Sequence, residues 1–152
     1  MKRWMWILAA ALLPLYFSGA GTELGHMKPA ELILVDVENP FVIIKTDLGD
    51  EGKGSSFQEA AENMQEKSDG ILFLDTAEKI VVSEKALYLL PELEDIFRPA
   101  AEVYLGSGAI KPDQAAEYLS ARKGNVTLGM LKTGKGRLPV LLAEKGRYHL
   151  VR

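Results

Sequence analysis

Between residues 31 and 122, apolar β-rich runs alternate with stretches of helical periodicity. That alternation restricts the chain to a mixed sheet with helices packed on it, an α/β (α+β) class. Glu31–Val37 and Phe41–Thr46 are the first β-rich runs, and Glu38-Asn39-Pro40 between them is turn chemistry, so a hairpin is expected. Gly49–Ser55 reads as a Gly-rich loop. Ser56 with Glu59 three residues on is a capping-box signal, and Phe57, Ala60, Ala61 and Met64 share one helical face. Ser68-Asp69-Gly70 ends that helix.

Ile71–Leu74 and Lys79–Val82 read as short buried strands. Ser83 opens a second helical stretch in which Pro91 starts a new turn, and Arg98-Pro99 stops it. Val103–Leu105 is a strand. A third helix runs from Pro112 to Arg122 with Ala115, Ala116 and Leu119 inward. The end of the chain reads as a β-meander: Val126–Lys132, a turn at Thr133–Gly136, Leu138–Ala143, a turn at Lys145-Gly146, and Tyr148–Val151. Phe41, Phe57, Phe73, Phe97 and Tyr104 take core-like positions.

The first 20 residues have another character. Lys2 and Arg3 precede an uncharged apolar run from Trp4 to Phe17, and Ser18-Gly19-Ala20 follows. This is the layout of a secretory signal, with cleavage expected after Ala20 or retention as an N-terminal anchor. Residues 21–30 read as a linker and 31–152 as a single domain, a size that buries about two-thirds of its unfolded surface. The expected place is outside the cytoplasmic membrane or in the medium. There is no cysteine, so disulfides, thiolate chemistry and lipid attachment at Cys are excluded, and the core alone must hold the domain.

Net charge is −3, which does not mark a nucleic-acid binder. Its distribution is uneven. Residues 21–121 carry 20 acids and 8 bases, whereas residues 122–152 carry 8 bases and one acid. The basic tail either packs beside the acidic body or faces an anionic membrane surface or an acidic partner. Lys132, Lys135, Arg137, Lys145, Arg147 and Arg152 are the candidate interaction residues.

Reactive constellations are weak. The stretch Gly49 to Ser56 sits between a strand and a helix as a phosphate loop would, but Gly54 stands where a Walker motif needs Ser or Thr, and Asp50 and Glu51 repel phosphate. Asp47, Asp50, Glu51 and Lys53 form a candidate loop. Its acids lack the spacing of a calcium site and read first as solvated side chains. His26 and His149 lie far apart in the chain, and His149 reads as a surface strand residue. Glu92, Glu94 and Asp95 form a solvated helix face with Leu93, Ile96 and Phe97 inward. No catalytic residue, metal or cofactor is expected.

Residues 52–64, GKGSSFQEAAENM, resemble the Gly-Lys segment and following helix of the Ger(x)C proteins, the C subunits of spore germinant receptors. Ile71–Leu74, then Lys79–Ala86 as strand followed by helix, resemble the family's next elements. Ile96-Phe97-Arg98-Pro99, Val103–Gly108 and the helix Pro112–Leu119 resemble the close of its first domain. The likeness covers roughly residues 30–121. Family members are lipoproteins, and Ala20 stands where their lipobox Cys would be; the family's further domains are also not expected in this chain.

Two readings follow. In the first, this is a non-catalytic interaction domain, exported or membrane-tethered, whose partners are membrane proteins or other receptor subunits; the resemblance implies a place in spore germination. In the second, it is a small secreted enzyme or small-molecule binding protein whose pocket uses the loop 47–56.

Overall fold

The computed structural model describes residues 27–152; the segment expected to be a signal or anchor, Ala20 and His26 lie outside the described residues. The fold is a mixed sheet with helices on both faces, and it ends in strands. Strand β1 (Met27–Pro29) pairs in parallel with β5 (Ile71–Phe73) as a small separate sheet. The main sheet contains β2 (Leu32–Glu38), β3 (Phe41–Thr46), β4 (Glu51–Gly54), β6 (Lys79–Ser83), β7 (Glu102–Gly108), β8 (Val140–Glu144) and β9 (Arg147–Val151). Its order is β4-β3-β2-β6-β7-β8-β9. The inner strands β2, β6, β7 and β8 are mutually parallel, and antiparallel strands finish both sides.

Burial on two sides explains the inner strands. In β2, Ile33, Val35 and Val37 face one helical layer, while Leu32 and Leu34 face the other. A strand covered on both faces reads as a continuous apolar run, as Leu32-Ile33-Leu34-Val35 does. Each such side chain contributes roughly 1.5–3 kcal/mol through its burial.

The first face is covered by α1 (Phe57–Lys67), a 3-10 helix (Glu84–Leu89), α2 (Leu90–Ile96) and Leu128 of α4 (Leu128–Lys132). Phe57 and Phe97 meet edge-to-face there, ring centres 5.8 Å apart. The second face carries α3 (Pro112–Ser120), whose Ala115, Ala116 and Leu119 pack on Leu32, Leu34, Val81, Tyr104 and Leu141.

Helix α1 starts as its sequence requires. The Ser56 hydroxyl accepts from the Glu59 N–H at 3.1 Å. Glu59 in turn accepts from the Ser55 N–H at 2.7 Å, one residue earlier than a standard box, and from the Ser55 hydroxyl. These two bonds hold the Glu59 carboxyl below its ordinary range.

Five local expectations change. The Gly-rich loop is strand β4, antiparallel to β3. Its inward positions are Gly52 and Gly54 because α1 lies directly against them. A Cβ on Gly52 would sit 2.5 Å from Met64 Cβ, and one on Gly54 would sit 2.6 Å from the Glu59 carbonyl carbon. Residues 27–29 of the expected linker form β1, and β5 is buried at Leu72 but not at Ile71, which is 50 % exposed. The segment read as Val126–Lys132 of a meander is instead helix α4, capped by the Thr127 hydroxyl, which accepts from the Met130 N–H at 3.4 Å; the chain therefore ends in a hairpin. Phe41 and Ile96 are also exposed rather than inward, and Lys53 Nζ lies 4.6 Å from the centre of the Phe41 ring.

Gly52→Ala is expected to destabilise the domain by about 3 kcal/mol, since neither Met64 nor the α1 backbone can withdraw. Gly134→Ala has open space around it, and its cost comes from positive φ alone. Urea unfolding of the two variants compares these costs; equal losses would remove the close approach of α1 as the reason for Gly52.

Candidate functional site

The candidate loop is the turn from β3 into β4, and most of its side chains hold that turn together. Asp47 Oδ1 accepts from the N–H groups of Glu31 and Leu32, both at 3.1 Å, and so pins the turn to the start of β2. The Asp50 N–H donates to the Thr46 hydroxyl at 3.2 Å. Glu51 stands 3.3 Å from Lys45, its register neighbour across β3 and β4. Lys53 points to the sheet face away from α1, toward Phe41. The backbone of this stretch therefore cannot cradle a phosphate: its glycines are covered by α1 and its lysine is on the other side.

A cavity of about 340 Å³ nevertheless lies between this turn and the start of α3. Asp47, Asp50, Glu51 and Asp113 line it, with Lys45 as the countercharge. One Asp50 carboxylate oxygen is buried without a hydrogen-bond partner.

A second cavity, about 290 Å³, opens over the carboxyl ends of β2, β6 and β7, where open α/β sheets bind ligands. Asp36, Ser83 and Gly106 come from those strands, Lys45 from β3, and Lys111 from the residue before α3. The Ser83 hydroxyl is buried without a hydrogen-bond partner. Sequence reasoning missed this crevice and placed the strand-end pocket beside the loop, although Asp47 ties that loop to the amino end of β2. The available signal was Gly106-Ser107-Gly108 after a strand. Those glycines serve packing: a Cβ on Gly106 would be 2.8 Å from both Ile110 and Val81, and Gly108, at φ +86°, abuts the Ala143 carbonyl.

The basic candidates do not form one cluster; only Lys145, Arg147 and Arg152 lie on or next to β9. Lys132 lies 3.6 Å from Asp95. Lys135 and Arg137 are exposed on the segment leading into β8. Lys145 forms the β8–β9 turn at φ 50°, and Arg147 stands opposite Glu144. Arg152 follows β9 at its other end, and its charge acts on Tyr104.

Tyr104 is fully buried, and its hydroxyl donates to Glu102 at 2.7 Å; Glu102 also accepts from the Gly124 N–H at 2.9 Å. Burial first, then the Glu102 carboxylate, pushes the phenol far above its usual range, so it stays protonated. His149 is exposed on β9. The row Ser107, Leu142, His149 crosses β7, β8 and β9 in register, so the serine and histidine are two strand spacings apart, roughly 10 Å, beyond hydrogen-bond reach. Among the described residues, no group of three or more His, Asp or Glu is placed to hold a metal ion. Among them also, no helix is long and apolar enough to cross a membrane.

Comparison with protein-family models, curated proteins and solved structures returned no match.

Around β8 and β9, the sheet is covered on one face and open on the other. On the α3 side, Leu141, Tyr148 and Leu150 are packed. On the opposite side, Leu105, Val140 and Val151 lie in one row across β7, β8 and β9. The first two are half-buried, belong to neither packed cluster, and lead outward to Val151, which is 54 % exposed.

Ser83→Ala is expected to leave stability unchanged or raise it by up to about 1 kcal/mol, because an unpaired buried hydroxyl is removed. A measured loss above that size would mean the hydroxyl has a partner in solution.

Proposed function

We propose that the chain is a non-catalytic interaction domain, exported or tethered outside the cytoplasmic membrane and similar to the first domain of a Ger(x)C protein, that docks on membrane proteins or receptor subunits. The observation that carries this reading is the β8–β9 corner, where an open apolar row is bordered by the basic side chains of Lys145, Arg147 and Arg152, with Glu144 the one acid of these two strands. Apolar contact gives such a surface affinity, and the fixed charge orients the approach. The resemblance adds support. Its segments fall on successive elements of the fold: β4 with α1, β5, β6 with the 3-10 helix, β7, and α3.

The test places a photo-crosslinking residue at Arg147, and separately at Glu62 on α1, in the full chain in sporulating cells. The expected result is a protein adduct at position 147 that weakens as salt rises, and none at position 62. Absence of protein adducts at both positions would remove the reading; lipid adducts at 147 would turn it toward an anionic membrane surface.

A second reading, a small secreted binding protein or enzyme, is favoured by the acidic cavity beside β4 and the unpaired Asp50 oxygen. Its ligand would be a small organic cation. In a thermal-shift screen of simple amines, Asp50→Ala with Glu51→Ala should abolish any stabilisation seen with the native chain. Unchanged stabilisation in the double variant would end this reading.

A further inference from the structure

We infer that β9 is a docking edge for an extended, acidic segment of the partner, which adds as an eighth strand beside it. This rests on the interaction reading and names the partner's chemistry. Among the described residues, β9 pairs on one side with β8 and with nothing on the other, so it presents a row of free N–H and C=O groups.

The two edges of the sheet differ. At the opposite edge, β4 has four residues, with two glycines pressed against α1 and Glu51 and Lys53 on its other face. It offers neither apolar side chains nor one sign of charge. The β9 edge offers both. It contains no proline or glycine between Arg147 and Val151, and its other face is held to α3 by the Tyr148 hydroxyl, which accepts from the Lys111 N–H at 2.9 Å. A rigid, regular edge of this kind suits strand addition, where main-chain bonds give affinity and alternate side chains give specificity.

The register dictates the pattern of the guest. Arg147 and Val151 point to the same face, four residues apart. An added strand continues the row Leu105, Val140, Val151 with an apolar residue, and places a carboxylate beside Arg147 four positions away along the same face. Lys145 at the turn and Arg152 at the far end extend the same preference. Like charge also argues against a second copy as the guest: two β9 strands side by side would bring Lys145, Arg147 and Arg152 of each chain together, a single-sign edge of the kind that natural sheets use against self-pairing.

The test is hydrogen exchange, read by mass spectrometry, on the full chain as isolated from cells. The probe is a short peptide alternating Val or Thr with Asp or Glu; a second peptide carries Lys at the acidic positions. The acidic peptide is expected to slow exchange across residues 147–151 by at least about tenfold. The lysine peptide should leave it unchanged. Arg147→Glu should remove the protection, and Arg147→Lys, which keeps the charge and the surface, should retain it. No protection by the acidic peptide, or equal protection by both peptides, overturns the inference. Protection that rises with protein concentration alone also overturns it, in favour of self-pairing. A crosslink at position 147 without peptide protection removes strand addition and leaves the interaction reading standing; failure of both experiments removes the two together.

Discussion

The structure depends on the requirement that β2 and β6 bury both of their faces. A parallel pair in the middle of a sheet has no solvent side, so helices must arrive from two directions. The chain supplies them unequally. Three helical segments and Leu128 cover one face, and one nine-residue helix covers the other. The face with more helices is nevertheless the one left open at the β8–β9 margin. Apolar positions remain half-open on β7 and β8, and charge gathers where the cover ends.

Most of the polar residues that draw the eye in the sequence are engaged in local structure. Asp47 closes the turn onto β2, Glu59 and Ser56 secure the start of α1, and Glu102 satisfies a buried tyrosine and a loop amide. Two polar atoms escape this use, the Ser83 hydroxyl and one Asp50 oxygen, and each residue lines a cavity. The open β9 side is different in kind: its chemistry is exposed main chain, an apolar row and three cations beside a single acid, Glu144.

The legible parts of the fold were those whose pattern came from burial. The strands β2, β3 and β6, the helices α1 and α3, and the break at Pro91 all follow from apolar spacing and caps. Strand β4 was hidden for a physical reason. The side of it that should carry β-branched residues is glycine, because the α1 backbone occupies that space. Helix α4 was hidden because Val126-Thr127-Leu128 has strand-like composition, and a five-residue helix has too little length to show a period. The crevice over β2, β6 and β7 draws on positions from 34 to 111, and no local motif announces such an assembly. The acids of the turn at 47–51 were readable as loop acids, but not the cavity they share with the start of α3.

The Tyr148 contacts connect two parts of the molecule that are distant in the chain. Its hydroxyl holds the backbone at Lys111, and its ring lies 5.7 Å from that of Tyr118. The last hairpin and the lone helix of the thin face are thereby fastened to each other as well as to the sheet. Regions fastened in this way open and close as one cooperative unit. A disturbance of β9 is therefore expected to loosen the start of α3 as well, and with it the Lys111 side of the crevice.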